Sequence, residues 1–80
     1  MKLTLEPTDQ VVDLDGTYFR VWQGAADDGT RVACLVSMVS VHNDEPDHVH
    51  ARFARKLREV VPADAHAVGA FGPWLARYVL

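Results

Sequence analysis

The sequence predicts a small α+β fold, in which one amphipathic helix packs on one face of an antiparallel β-meander of about four strands. The first half of the chain is rich in alternating apolar, aromatic and β-branched residues, as strands are. Two Asp-Gly pairs, Asp15-Gly16 and Asp28-Gly29, are typical of tight hairpin turns. Residues 46–61 carry apolar side chains at helical spacing.

The four strands follow from the pattern between these turns. Residues 2–6 alternate, residues 7–9 (Pro-Thr-Asp) predict a turn, and residues 10–14 form a second strand. Residues 17–25 are aromatic and β-branched and predict the third strand. Residues 31–41 are almost continuously apolar, so we expect the longest strand there, placed centrally or covered on both faces.

The turn lengths predict which residues share a face. If Asp28-Gly29 is a two-residue loop, Trp22 lies opposite Leu35. The Asp15-Gly16 turn places Val11 opposite Arg20. A slip of one residue in either hairpin would exchange the faces.

A helix over residues 46–61 begins near Pro46, because proline is tolerated in a first helical turn. Asn43 or Asp44 is the expected cap, and Pro62 ends the helix. The predicted core stripe consists of Val49, Phe53, Leu57, Val60 and Val61.

The last eighteen residues, 63–80, are interrupted by glycine and proline. They predict a short C-terminal element. It is either a helix that begins at Pro73 or an extended segment along the sheet edge.

Composition narrows the class of protein. Residues 1–80 are long enough for a single domain, and 49 % hydrophobic with 24 % charged residues is ordinary globular composition. The net charge of −3 disfavours nucleic acid as a partner. The lone Cys34 allows no disulfide within the chain, and we expect it to be buried. No apolar run approaches the ~20 residues of a membrane span, so we expect a cytoplasmic protein and no membrane partner.

The stretch VHNDEPDHVH, residues 41–50, has the composition of a metal site. If the helix begins near Pro46, however, His48 and His50 point ~200° apart and do not chelate one ion. We expect a half-buried His50, capping acids and no metal or other cofactor. A metal-binding protein that uses residues 42–50 remains an alternative, with His42, Asp44 and His48 as its best ligand set.

Catalytic motifs are lacking, so we do not expect an enzyme. Ser37 and Ser40 have no nucleophile elbow around them, and the glycines form no phosphate-binding loop. Four cations crowd into seven positions, and a small nucleic-acid-binding regulator that uses them is the alternative function: Arg52, Arg55, Lys56 and Arg58.

The predicted second face of the sheet groups Tyr18, Trp22, Leu35, Val39 and Val11 around Arg20. One helix covers only one face of a small sheet. The second face is therefore either an interaction surface, for a partner protein or a second copy, or it is covered by the C-terminal tail with Phe71, Trp74, Leu75 and Tyr78.

Residues 16–46, with an R-V-W-x-G strand, a polar turn and a long apolar strand before a His/Asp/Glu-rich helix start, resemble short uncharacterised accessory proteins of phages and prophages. The resemblance implies a mobile-element protein of the anti-CRISPR kind, which inhibits a host defence complex by occluding its surface. The expected function is thus a non-enzymatic protein-binding module. Its expected contact residues are Trp22, Tyr18 and Arg20, with the turn acids Asp13, Asp15, Asp27 and Asp28 as phosphate mimics.

Overall fold

The computed structural model describes residues 1–64 and confirms an α+β fold. Three antiparallel strands form one sheet in the order β1-β2-β3. They are β1 (Leu3–Leu14), β2 (Thr17–Ala26) and β3 (Arg31–Val36), and the helix α1 (Asp47–Lys56) follows them. Residues 65–80 lie outside the described part of the chain, and with them most of the predicted C-terminal element.

The predicted turn at residues 7–9 is wrong, so the described sheet has three strands rather than four. Pro7 lies opposite Trp22 and Val11 lies opposite Arg20, so residues 8–10 all oppose the single residue Val21. This is a β-bulge with two extra residues inside one continuous strand. Because side chains alternate with a period of two, two extra residues leave the faces of β1 unchanged on either side of the bulge.

Thr8 lies at the centre of the bulge and is fully buried, as is Val21. Its hydroxyl donates a hydrogen bond to the Val21 carbonyl at 2.7 Å. The same oxygen accepts from the Gln10 backbone N–H at 3.3 Å. The hydroxyl therefore bonds to a carbonyl of β2 at the point where the bulge interrupts the ladder.

The bulge also binds the segment that follows the helix. Val61 donates its N–H to the Pro7 carbonyl, and Asp9 donates its N–H to the Val61 carbonyl, both at 3.0 Å. Thr8 and Val61 thereby form an isolated parallel bridge. The Asp9 carboxylate accepts from the Ala63 N–H at 3.0 Å. Residues 61–63 consequently lie along the outer edge of β1.

Gln23 of β2 also forms hydrogen bonds with this segment. Its side-chain nitrogen donates to the Pro62 carbonyl at 3.3 Å, and its side-chain oxygen accepts from the Asp64 N–H at 2.8 Å. The chain from Val61 to Asp64 is thus fixed by two strands.

The first hairpin is as predicted. Asp15 has φ +52° and Gly16 has φ +85°, the left-handed pair that a type I′ turn requires. The expected pairing of Val11 with Arg20 is confirmed.

The second hairpin is one residue longer than predicted. Ala26 donates to the Thr30 carbonyl and accepts from the Gly29 N–H, both at 2.9 Å, so three residues rather than two form the loop. Gly29 has φ +89°, as in a three-residue loop that ends in a left-handed glycine. Trp22 therefore lies opposite Cys34, and the predicted pairing with Leu35 is wrong. The slip exchanges the faces of β3.

Strand β3 is also shorter than expected, since it ends at Val36 rather than at residue 41. The chain leaves the sheet there, and Met38 is 81 % exposed. Val39, predicted on the second face, lies outside the strand.

The helix spans ten residues instead of the sixteen predicted. Pro46 is its N-cap and no side chain caps it, so the expected cap at Asn43 or Asp44 is wrong. After Lys56 the α-helical hydrogen bonds give way to a tighter turn, in which the Glu59 N–H donates to the Lys56 carbonyl three residues earlier, at 3.0 Å. Val61 belongs to the β1 edge and is therefore unavailable to the helix. No residue of the helix is fully buried, and its stripe of Val49, His50, Phe53 and the C-cap Leu57 is half-buried.

Replacing Thr8 with valine should lower the free energy of unfolding by about 1–3 kcal/mol, because the isosteric change leaves the Val21 carbonyl buried without its donor. Urea denaturation measures the loss. Thr17→Val is the matched control at an exposed position of β2 and should change stability by less than about 0.5 kcal/mol. Equal effects of the two changes would contradict the role given to the Thr8 hydroxyl.

Candidate protein-binding surface

Strand β2 places three large side chains on one face of the sheet. Tyr18, Arg20 and Trp22 alternate along the strand and therefore project to the same side. The strand register adds neighbours from β1 and β3. We name this surface the Arg20 face, formed by Pro7, Val11, Asp13, Tyr18, Arg20, Trp22, Cys34 and Val36. Leu35, expected here, belongs to the opposite face with Val21.

The Arg20 face combines apolar side chains with the charged Arg20 and Asp13, and its residues are unevenly exposed. Tyr18 is 68 % exposed and Val11 is 50 % exposed. Trp22, Cys34 and Arg20 are half-buried. Cys34, which we expected to be buried, therefore keeps part of its surface accessible. The exposed part of the face lies toward the Asp15-Gly16 turn.

The bulge orients Arg20. Its Nη1 donates to the Thr8 carbonyl at 2.7 Å, a short distance typical of a charged donor. The Thr8 side chain is itself anchored on Val21, so the backbone oxygen that holds the guanidinium is fixed. This hydrogen bond holds Arg20 at the bulge.

An open groove of about 590 Å³ lies beside Arg20. It separates the bulge from the end of the helix, and its lining combines charged and apolar groups: Asp9, Arg20, Ala54, Leu57, Arg58 and Val60. The groove is open to solvent, and four of its lining residues, Asp9, Ala54, Arg58 and Val60, are exposed.

The four turn acids do not form one cluster. Asp13 and Asp15 lie at the turn of the first hairpin, whereas Asp27 and Asp28 lie in the loop of the second hairpin. The ten residues of β2 separate these turns, which at ~3.3 Å per residue is roughly 30 Å. A single phosphate-mimicking surface made of all four carboxylates is therefore not assembled by residues 1–64.

Three of these acids accept hydrogen bonds within their own loops or from the strand beside them. The Asp13 carboxylate accepts from the Gly16 N–H at 2.8 Å, and Asp27 accepts from the Lys2 N–H at 3.2 Å. The Asp28 carboxylate accepts from the Thr30 N–H at 2.9 Å. This backbone bond, with a second one from the Thr30 side chain, holds the pKa of the Asp28 carboxyl below its ordinary value of 3.8. Asp13 and Asp28 therefore stabilise the hairpins that carry them, and Asp27 joins the second hairpin to the residue before β1.

The predicted basic cluster is exposed throughout. Arg52, Arg55 and Lys56 lie on α1, and Arg58 lies beyond its last residue. Arg58 alone of the four lines the groove.

The histidine stretch assembles no metal site within residues 1–64, where no three His, Cys, Asp or Glu side chains are placed to hold an ion. His42, Asp44 and His48 are exposed, and His50 is half-buried in the helix stripe, as its position predicts.

Sequence reasoning missed Thr8, Asp9 and Gln23, which position Arg20 and the segment after the helix. A Pro-Thr-Asp sequence is as typical of a turn as of a bulge. One signal could have indicated the bulge. Apolar and polar residues alternate in both residues 2–6 and residues 10–14, a pattern that also fits one strand interrupted by a bulge.

No protein family model, curated protein or solved structure matches this chain. Within the described part of the chain, no helix has the length and apolar character needed to cross a membrane.

Asp28→Asn should make stability less sensitive to acid. Because the folded pKa is lowered, the carboxylate stabilises the fold above the ordinary pKa, and this contribution is lost as pH falls through the lowered value. We expect the variant to lose less stability than the wild type between about pH 5 and about pH 2. Asp44→Asn is the charge-matched control on an exposed residue. Denaturation curves across this range that coincide for wild type and Asp28→Asn would contradict the expectation.

Proposed function

We propose that the chain is a non-enzymatic protein-binding module and that the Arg20 face makes the contact. The observation that carries this is the 68 % exposure of Tyr18 beside the half-exposed Val11, on a face that also holds Trp22 and Arg20. Exposed apolar surface usually marks an interaction site, and Tyr, Trp and Arg are the residues most enriched at binding hot spots.

The geometry supports a folded protein as the partner. Tyr18 and Val11 project from neighbouring strands, so they present a rigid surface rather than a flexible segment. A rigid aromatic anchor loses little side-chain entropy on binding. The partner would therefore offer an apolar pocket that receives the Tyr18 ring.

A more specific form of the proposal is an inhibitor of a host defence complex, of the CRISPR–Cas kind, that acts in the bacterial cytoplasm. Its support is the resemblance of residues 16–46 to phage and prophage accessory proteins. Since the acidic pairs lie at opposite ends of β2, we propose occlusion by the Arg20 face rather than phosphate mimicry by one acidic cluster.

A nucleic-acid-binding regulator is the second candidate, because Arg52, Arg55, Lys56 and Arg58 are all exposed. Such binding would weaken steeply with salt. Association of two copies through the Arg20 face is a third outcome that the same experiment distinguishes.

Tyr18→Glu should weaken binding to the partner by about tenfold or more, since a charge would replace a hot-spot ring. Candidates are captured from a bacterial lysate on immobilised wild-type protein. Each is then purified and titrated by calorimetry against wild type, Tyr18→Glu and Leu14→Glu. Leu14 is 40 % exposed on the opposite face near the same turn, so its variant is the matched control and should bind within about twofold of wild type.

Circular dichroism first establishes that both variants fold. Three outcomes would overturn the proposal. In the first, Leu14→Glu loses as much affinity as Tyr18→Glu. In the second, no purified protein binds directly. In the third, the wild type retains only nucleic acid, and Arg55→Glu loses it. Sedimentation of the wild type alone separates self-association from binding to another protein.

A further inference from the structure

The groove between the bulge and the end of the helix has the composition of a binding site for an organic anion. Ala54, Leu57 and Val60 form apolar walls, and Arg20 and Arg58 supply guanidinium groups. Small-molecule sites typically combine a mostly apolar lining with a few placed polar groups. The chain thus brings together two distant parts of the sequence that share no predicted motif.

Arg20 is positioned to donate into this groove. A guanidinium has five N–H donors, and the hydrogen bond that the structure shows for this side chain, within residues 1–64, uses Nη1 on the Thr8 carbonyl. That bond holds one end of the guanidinium at the bulge and leaves its other N–H donors without a hydrogen-bond partner among residues 1–64. A fixed planar fork of donors matches the two oxygens of a carboxylate.

The lining carries a net positive charge and therefore favours an anion. Two guanidinium groups and the Asp9 carboxylate leave one net positive charge. Asp9 is held in place by the Ala63 N–H at 3.0 Å, so its negative charge remains part of the site. A carboxylate on an apolar body matches both the guanidinium groups and the apolar side chains, whereas inorganic phosphate has no apolar part to place against Leu57 and Val60.

We propose that this groove binds a small monocarboxylate carried on an apolar body, with Arg20 and Arg58 on the carboxylate and Leu57 with Val60 against the body. The site goes beyond the proposed protein-binding function. Substitution of Arg58 tests the groove, whereas substitution of Tyr18 tests the protein contact. Either proposal can therefore fail while the other holds.

The test is an NMR titration of the isotope-labelled chain with phenylacetate, using phenylacetamide as the neutral probe of the same shape and inorganic phosphate as the dianion. We expect saturable shifts of the Ala54, Leu57 and Arg58 amide signals with phenylacetate only. Arg58→Gln should weaken binding about tenfold, because it removes a charged hydrogen-bond donor.

Arg55→Gln is the matched control, since Arg55 is equally basic and exposed on the same part of the chain but does not line the groove. It should leave the affinity unchanged. Arg20→Lys, which keeps the charge but loses the planar fork, should also weaken binding. The dispersion of the amide spectrum shows whether each variant folds.

The proposal is overturned if phenylacetate gives no saturable shifts. It is overturned equally if phenylacetamide binds as tightly, if phosphate binds more tightly, or if Arg55→Gln loses as much affinity as Arg58→Gln.

Discussion

The hydrogen bond from the Thr8 hydroxyl to the Val21 carbonyl is the interaction on which the described structure most depends. It joins the two fully buried residues of the described chain and satisfies a carbonyl of the central strand where the ladder is interrupted. A small sheet has little apolar area to bury, so an unsatisfied group at its centre would cost a large part of its stability. With the hydroxyl in place, the strand tolerates two extra residues.

Those two extra residues shape the candidate site. At the bulge the Thr8 carbonyl accepts from Arg20, and at the outer edge of the same strand the Pro7 carbonyl and the Asp9 N–H bond with Val61. The chain beyond the helix is thereby brought to the edge of β1, which places the end of the helix across a groove from Arg20. The position of the Arg20 guanidinium and the groove beside it therefore share one structural origin.

The sequence was sufficient to predict the α+β class, the first hairpin with its register and the existence of the helix, since each rests on local patterning. The errors arose where two local outcomes had similar patterns. Asp28-Gly29 suits the end of a three-residue loop as well as a two-residue turn, and the single-residue difference exchanged Leu35 for Cys34 beside Trp22. Val60 and Val61 continue the helical stripe, but a tertiary contact with β1 overrides that periodicity. Tyr18, Arg20 and Trp22 were placed on one face correctly because alternation within a strand does not depend on its partner.

Residue-resolved amide hydrogen exchange tests most directly whether the bulge organises the chain after the helix. The amides of Asp9 and Val61 have no part in the β1–β2 ladder, and their hydrogen bonds exist only if Val61 is docked on the bulge. We expect both amides to be protected to a degree comparable with those of the neighbouring strand residues, since all would open together. Exchange of the Asp9 and Val61 amides at the rate of an unstructured chain, while the strand amides stay protected, would contradict this expectation.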